Sequence, residues 1–179
     1  MPRNRRPRDR EEKSAEIVAA AATLFTDVGF EKTSLVSVAK VAGVTTNTIY
    51  WYFESKEALL VAVLDHLLAE ALHGVDEQAE TPLVDRLLWV VGRLDERAKL
   101  VTTVHALATT SPVVEAWHDG FHAVTNEILA DGLRQSGIPE EQVVPMTRLG
   151  VFAIEGLLMH PLPEAEQRAV LRLALDGPR

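Results

Sequence analysis

Apolar residues recur every three or four positions along most of the chain, whereas alternation of apolar and polar residues is scarce. The first pattern is typical of amphipathic helices and the second of half-buried strands. No uninterrupted apolar run reaches the roughly 18 residues that a membrane span needs. The pattern therefore predicts an all-α protein of about nine helices, with no membrane partner.

Cap residues and glycines divide the N-terminal part of this pattern into short helices. Gly29 supplies a stop for the first helix and Gly43 for the second. Thr33 or Ser34 is a suitable N-cap for the second helix, and Thr45 for a third. These signals predict three consecutive helices before residue 55.

A fourth, long helix begins after Ser55, and five more helices follow it. Thr81-Pro82 and Ser111-Pro112 each combine a cap residue with a proline at the first helical position. Pro145 removes a backbone hydrogen bond if it lies inside a helix, so that helix either kinks or begins at Pro145. The predicted ranges are 82–96, 98–108, 112–136, 140–159 and 163–176.

Charge is distributed unevenly along the chain. Residues 1–56 contain nine Lys and Arg against seven Asp and Glu, whereas the remaining 123 residues contain nine against nineteen. Five arginines fall within the first ten residues. A polyanion would therefore be attracted to the N-terminal part of the molecule and repelled by the rest.

Several classes of function are excluded by what the sequence lacks. Cysteine is absent, which excludes disulfides, thiol catalysis and cysteine-ligated zinc motifs. The chain contains no phosphate-binding loop, nucleophile elbow, HExxH motif or glycine-rich dinucleotide turn. The basic N-terminus is not followed by the apolar segment of a secretory signal. We therefore expect a cytoplasmic protein that is not an enzyme and has no catalytic residues and no cofactor.

Residues 35–53 carry the most informative pattern. Ala42-Gly43-Val44 separates two short helices, as in a helix-turn-helix, whose turn characteristically holds a glycine. The outer face of the second helix combines hydroxyls, an amide and aromatic rings, and it has no acidic residue. Such a face suits base edges and phosphate oxygens. Its members are Thr46, Asn47, Tyr50 and Trp51.

The surrounding sequence is similar to the DNA-binding signature of the tetracycline-repressor (TetR) family over about residues 14–63. The matching elements include Gly29-Phe30, Ala42-Gly43-Val44, Ile49-Tyr50 and Ser55-Lys56-Glu57-Ala58-Leu59. The resemblance implies a basic arm and helix-turn-helix domain at 1–55, and a helical ligand-binding and dimerisation domain at 56–179. It also implies a homodimeric repressor that binds a pseudo-palindromic operator in double-stranded DNA and is released by a small-molecule effector.

The resemblance also assigns roles to single residues. Tyr50 and Lys56 match a phosphate-binding tyrosine and lysine, and Thr33 matches a residue placed against phosphates. The recognition helix and its cap supply the other DNA-binding candidates, which are Thr45, Thr46, Asn47, Thr48, Trp51 and Tyr52. For Tyr52 and Phe53 a place in the core is the favoured alternative, while Trp51 fits core and contact about equally.

Two alternatives to a repressor stay open at this point. One is an activator or co-regulator that uses the same DNA-binding head. The other is an interaction protein or enzyme whose helix-turn-helix is vestigial. Tyr50, Lys56 and the basic arm argue against the second alternative, because a vestigial head would have no need of phosphate-binding residues.

The near-continuous apolar stretch from Leu149 to Met159 resembles the glycine-containing dimer helix of the family. An ordinary core helix is the alternative. A helix that is apolar over so much of its circumference has to be covered on more than one side. The candidate interface residues are Leu149, Phe152, Glu155, Gly156, Leu157, Met159 and Val170.

Large or polar-tipped side chains on the apolar faces of the middle helices are candidates for an effector pocket. Each of them, taken singly, is also compatible with plain core. They predict an apolar or aromatic effector, and they are Trp89, His105, Trp117, Phe121 and Phe152. His118 and His122 have a spacing that can bind a metal, but the sequence suggests no third ligand. We therefore predict no metal site and interpret this pair as solvated or at a pocket rim.

Overall fold

The computed structural model describes residues 7–176, with side chains for 10–175. Within this range it consists of helices without a strand, which confirms the predicted all-α class. The helices are α1 (Pro7–Asp27), α2 (Leu35–Val41), α3 (Thr46–Tyr52), α4 (Lys56–Glu77), α5 (Leu83–Asp95), α6 (Ala98–Ala108), α7 (Pro112–Gln135), α8 (Glu140–Met159) and α9 (Glu164–Asp176).

Residues up to Ala69 and the segment Lys99–Trp117 form one compact unit, called unit 1. Its core combines the apolar faces of α1 to α4 with side chains from α6 and the start of α7. Leu100, Val104 and Val114 are all buried in this core. The predicted boundary at residue 55 therefore differs from the observed division, because the three N-terminal helices share their core with later helices.

Local hydrogen bonds define the turn between α2 and α3. Ser34 caps α2 through a reciprocal capping box with Ser37. Gly43 has a φ of +64°, a conformation that favours glycine, and the Val44 N–H donates to the carbonyl of Ala39 at 2.9 Å. Thr45 then caps α3 by accepting from the Thr48 N–H at 3.2 Å. The helix-turn-helix geometry thus follows from side chains within this segment.

Residues 70–98 and 118–176 form the second compact unit, called unit 2. Its core is built from α5, α7, α8 and α9, and its best-buried members are Leu133 and Leu171. Arg168 of α9 forms an ion pair with Asp85 of α5. Arg134, near the end of α7, pairs with Glu140 at the start of α8, and its acidic partners raise the pKa of the guanidinium. These pairs connect the helices at the polar edge of the core.

Prolines lie at the starts of helices in unit 2, as the sequence predicts. The capping of α5 and the start of α8 require two corrections to the sequence-based description. Thr81 does not cap α5, because its hydroxyl donates to the carbonyl of Gln78 and Pro82 takes the N-cap position. Pro145 lies inside α8, which starts at Glu140. The alternative start at Pro145 is therefore wrong. The helix α8 continues through Pro145 although proline has no N–H to donate to the preceding turn.

By length and composition alone, α4 and α8 could cross a membrane. One or two such helices are weak evidence for a span, because core helices pass the same test. In α4, Leu59, Leu60 and Val63 are buried in the core of unit 1, which accounts for part of its apolar character. In α8, Val143 and Leu157 are buried within unit 2.

Candidate nucleic-acid interface

The outward face of α3 presents the side chains predicted to contact DNA. Asn47 is exposed, and the side chains of Tyr50 and Trp51 are 56% and 62% exposed. Ile49, on the opposite face, is fully buried and holds α3 against the core of unit 1. Because residues 33–53 contain no Asp or Glu, this face has no negative charge to repel phosphates.

A cation from α1 lies directly beside this face. The guanidinium carbon of Arg10 is 4.6 Å from the centroid of the Trp51 ring, which is a cation–π arrangement. The stacked guanidinium keeps N–H groups that can donate to phosphate oxygens. The high exposure of Trp51 and its contact with Arg10 favour a surface role over the core alternative.

The basic arm predicted for the N-terminus is only partly described. Residues 1–6 lie outside the described residues. Residues 7–10 belong to the first turn of α1, so this part of the predicted arm is helical. Arg10 therefore has a defined place on a helix, which the sequence-based description of an arm did not predict.

Lys56, the first residue of α4, is also held in a defined position. Its Nζ lies 4.0 Å from the centroid of the Phe30 ring, so the aromatic face supports the ammonium group. Tyr52 and Phe53 are partly buried and pack against the core of unit 1. Their packing favours the core alternative for both rings, and it makes Tyr52 a support for Trp51, which it meets edge-on at 4.7 Å.

The threonines of the predicted contact set are not equivalent. Thr33 is only 3% exposed, and its hydroxyl donates to the carbonyl of Gly29 at 2.8 Å. Its predicted place against phosphates is therefore corrected, because a buried hydroxyl with a backbone partner does not face DNA. Thr45 and Thr48 have their hydroxyl oxygens 2.9 Å apart at the α3 cap, and Thr46 is partly exposed beside them.

Comparison with known proteins identifies relatives that are DNA-binding regulators, in agreement with the exposed polar face of α3. Residues 17–63 match the family model for bacterial regulatory proteins of the tetR family. The chain is 30% identical over 166 residues to the HTH-type transcriptional regulator TtgR of Pseudomonas putida, covering 83% of this chain and 79% of that protein. The chain belongs to the TetR family. Since its relatives are transcriptional regulators, this TetR-family protein is a DNA-binding transcriptional regulator and not an enzyme.

Solved structures show the same fold for the TetR-family chain. A TetR transcription regulator from Haloarcula marismortui superposes with a TM-score of 0.76 at 16% identity, covering 93% of this chain and 97% of that one. A transcriptional regulator from Saccharomonospora viridis, in complex with choline, superposes with a TM-score of 0.74 at 17% identity, covering 90% and 94%. At these identities the likeness concerns the fold alone.

The five aromatic or histidine candidates for an effector pocket lie in different environments of the TetR-family chain. In unit 1, His105 is exposed, and Trp117 donates its indole N–H to Asp65 at 2.8 Å. In unit 2, Trp89 and Phe121 are partly buried, whereas Phe152 is 66% exposed. The structure thus leaves Trp89 and Phe121 as the half-buried candidates of unit 2.

The predicted dimer residues on α8 divide between two faces of the helix. Leu149, Phe152, Gly156 and Met159 are exposed and follow helical spacing, so they form one stripe, here called the α8 stripe. Leu157 is 5% exposed and belongs to the core of unit 2, which corrects its assignment to the interface.

The other two predicted dimer residues, Glu155 and Val170, do not belong to the α8 stripe. Glu155 is partly exposed, and its carboxylate lies 3.9 Å from His122 on α7 of the same chain. Val170 on α9 is partly buried, whereas Leu173 is 78% exposed. Leu173 is three residues from Val170 and so lies on the same side of α9, where it is the more exposed of the two.

Proposed function

We propose that this regulator represses transcription by placing α3 of each protomer in the major groove of a pseudo-palindromic operator. The exposed, uncharged face of α3, with Arg10 and Lys56 as neighbouring cations, is the observation that supports this proposal. A helix with amide, hydroxyl and aromatic groups can read base edges, while cations bind phosphates.

The proposed roles within this surface follow from exposure and chemistry. Asn47 can bind adenine through both donor and acceptor atoms of its amide. Thr46 and Trp51 lie next to it and complete the reading face. Tyr50, through its hydroxyl, and Lys56, through its ammonium group, bind phosphates on either side of the groove.

TetR-family regulators bind operator DNA as dimers, and we propose that the α8 stripe forms the seam between two copies. Phe152, Leu149 and Met159 are each at least half exposed, and burial against a symmetry-related copy removes them from water. Among the described residues, a Cβ added at Gly156 would meet no heavy atom within 4 Å other than those of its chain neighbours and of the adjacent helix backbone. The space above Gly156 permits close approach of a second helix. A two-fold axis also supplies two recognition helices, spaced on the order of 34 Å for successive major grooves.

We propose that a small, apolar or aromatic effector binds in unit 2 near Trp89 and Phe121. Each of these half-buried rings offers apolar surface of the kind that lines small-molecule sites. A Saccharomonospora viridis regulator of the same fold is in complex with choline, so this fold can hold a small molecule. Effector binding then favours a dimer conformation in which the recognition helices no longer match the groove spacing, and operator affinity falls.

Fluorescence anisotropy with DNA from upstream of the protein's own gene tests the proposed repressor. We expect one dimer per operator, with an affinity that decreases steeply as salt rises because phosphates are neutralised. A shuffled sequence of equal length and composition is the control. Equal binding to both DNAs at physiological salt would contradict sequence-specific repression.

Titration of small-molecule candidates tests the effector proposal separately. A Trp51→Phe/Trp117→Phe protein keeps Trp89 as its only tryptophan, so a change in its fluorescence reports on unit 2. We expect that molecules that quench Trp89 also release the operator from the unmodified protein. Release of DNA with no change at Trp89 or on Phe121→Ala would contradict the proposed position.

A further inference from the structure

Two histidines of α7 point their ring nitrogens at each other within unit 2. The Nε2 atoms of His118 and His122 lie 3.1 Å apart, and the rings meet edge-to-face with centroids 4.5 Å apart. Their side chains are 22% and 27% exposed, so they are mostly covered but still reached by solvent. A spacing of four residues on one helix fixes this arrangement, because i and i+4 side chains lie on the same face.

A carboxylate from the neighbouring helix lies beside this pair. Oε1 of Glu155 on α8 is 3.9 Å from Nε2 of His122. Nε2 of His122 therefore has a second imidazole nitrogen and a carboxylate oxygen within 4 Å. The sequence-based expectation of no metal site rested on the lack of a third ligand, and packing of α8 beside α7 brings the Glu155 carboxylate near His122.

The separation of the two imidazole nitrogens suits coordination of one small transition-metal ion. Around a tetrahedral zinc ion with bonds of about 2.0–2.1 Å, ligand atoms are about 3.3 Å apart. The two observed separations, 3.1 and 3.9 Å, lie on either side of this value. A rotation of the Glu155 side chain would bring its carboxylate to an ion held by both imidazoles. In a direct hydrogen bond between the rings, Nε2 of one histidine donates its N–H to the lone pair on Nε2 of the other. In metal coordination, both Nε2 atoms are unprotonated and each donates its lone pair to the ion.

The surroundings of the pair are also those of metal-binding histidines. Oδ1 of Asp119 lies 4.0 Å from Nδ1 of His118, the ring nitrogen that is turned away from His122. Carboxylates near the second ring nitrogen orient metal-bound imidazoles and increase their basicity. The ring of Phe121 packs edge-on against His122 with centroids 5.5 Å apart, which restricts the motion of that ligand.

We propose that His118, His122 and Glu155 bind a divalent transition-metal ion such as zinc. Nε2 of each histidine and the carboxylate of Glu155 are the three protein ligands, and the fourth position is open to water. Such an ion links α7 to α8 within unit 2. None of the three ligands belongs to the proposed DNA-contacting surface, so this site is independent of operator recognition.

Titration of tag-free, chelator-treated full-length protein with zinc chloride tests the proposal. Calorimetry should give one zinc ion per chain, and cobalt(II) chloride should produce the strong visible absorption of tetrahedral cobalt. His118→Gln and His122→Gln should each weaken zinc binding by more than the roughly 10–100-fold that loss of an outer-shell partner costs. Asp119→Asn should weaken it within that range. Glu155→Gln should weaken zinc binding and change the cobalt spectrum.

His73 provides a matched control, because it forms an exposed i,i+4 pair with a carboxylate, that of Glu77 at 3.4 Å, and not with an imidazole. His73→Gln should bind zinc as the unmodified protein does. The melting temperature should rise with free zinc concentration in the unmodified protein and in His73→Gln, but not in the double variant His118→Gln/His122→Gln. Operator binding by the double variant in chelator confirms that it is folded. Zinc binding that survives in the folded double variant, or an unmodified protein that binds no zinc at micromolar concentrations, would overturn the proposal.

Discussion

The protein exposes large apolar side chains on α3 of unit 1 and on α8 of unit 2, and the two surfaces differ in what accompanies those side chains. On α3, Tyr50 and Trp51 alternate with the amide of Asn47, and Arg10 lies over the Trp51 ring. On α8, Phe152 and Met159 share a stripe with Leu149 and Gly156. Exposed area alone therefore does not distinguish the two surfaces.

The accompanying groups indicate different partners for the two surfaces. Amides, hydroxyls and cations compensate the desolvation of base edges and phosphates, so the α3 face suits DNA. Burial of a stripe without hydrogen-bonding side chains is favourable only when it packs against another apolar surface. A second copy of the chain provides that surface by symmetry.

The largest expected effect comes from a charge in the α8 stripe. Phe152→Asp places a carboxylate where two apolar surfaces meet, and burial of an unpaired charge costs several kcal/mol. We expect the dimer and the operator affinity both to weaken by at least about 100-fold, which corresponds to about 2.8 kcal/mol. Analytical ultracentrifugation and anisotropy measure the two effects.

Two further variants show whether this effect belongs to the stripe. Val113→Asp makes the same kind of change at a residue of α7 that is 42% exposed and lies outside the stripe, and it should leave the dimer intact. Gly156→Leu should preserve or raise the stability of the protomer, because leucine favours a helix more than glycine does. It should nevertheless weaken the dimer. A dimer retained in both Phe152→Asp and Gly156→Leu would contradict the proposed seam.

The helix-turn-helix could be predicted from sequence because its determinants are local. Ser34, Gly43 and Thr45 act on backbone groups within a few residues, and these signals alone place the boundaries of α2 and α3. The helices from α5 to α9 were predicted within one residue or so for the same reason. Pro145 is the exception, since packing of α8 in unit 2 outweighs the helix-breaking tendency of one proline.

Local sequence signals could not predict which side chains become buried or paired when the helices pack together. Thr33 belongs to a DNA-contacting position by resemblance, but its hydroxyl bonds to the backbone at the end of α1. Leu157 and Gly156 are neighbours in an apolar run, yet a rotation of about 100° per residue places one in the core and the other at the surface. Glu155 approaches His122 only because α8 packs beside α7.

A substitution at Asn47 tests whether the polar groups of the α3 face distinguish it from the apolar α8 stripe by reading DNA bases. Asn47→Ala removes the amide that distinguishes the α3 face from an apolar stripe, and a bidentate base contact is worth about 1–3 kcal/mol of discrimination. We expect preference for the operator over a shuffled sequence to fall by about 10–100-fold, with little change in non-specific binding. Selection from a random DNA library should return a relaxed consensus at one base pair per half-site. An unchanged consensus would exclude Asn47 as a base reader.

Two glycines in unit 2 separate the effect of a crowded Cβ position from that of an open one. A Cβ added at Gly74 of α4 would lie 2.4 Å from Cη2 of Trp89, so Gly74→Ala forces the indole to move. Overpacking costs typically about 1–3 kcal/mol, against a gain of up to about 1 kcal/mol in helix propensity. We therefore expect a net loss of about 1 kcal/mol in the free energy of unfolding, measured by urea denaturation.

Gly92 of α5 is the matched control for that measurement. Apart from its chain neighbours and the adjacent helix backbone, no described heavy atom lies within 4 Å of its Cβ position. Gly92→Ala should therefore raise the free energy of unfolding by up to about 1 kcal/mol. Equal effects of Gly74→Ala and Gly92→Ala would show that the contact with Trp89 does not constrain unit 2.

The smallest expected effect concerns Lys56, whose contribution is electrostatic and independent of sequence. Lys56→Ala removes one cation that we place at a phosphate, so the slope of log affinity against log salt should decrease by about 0.9. The affinity for operator and for shuffled DNA should fall by the same factor of less than about ten at physiological salt. Lys56→Arg keeps the charge and should retain the slope, which separates the cation from the packing of the side chain over Phe30. If Lys56→Ala leaves the slope unchanged, the ammonium group lies away from the DNA backbone, and Arg10 beside Trp51 becomes the cation that borders the α3 face.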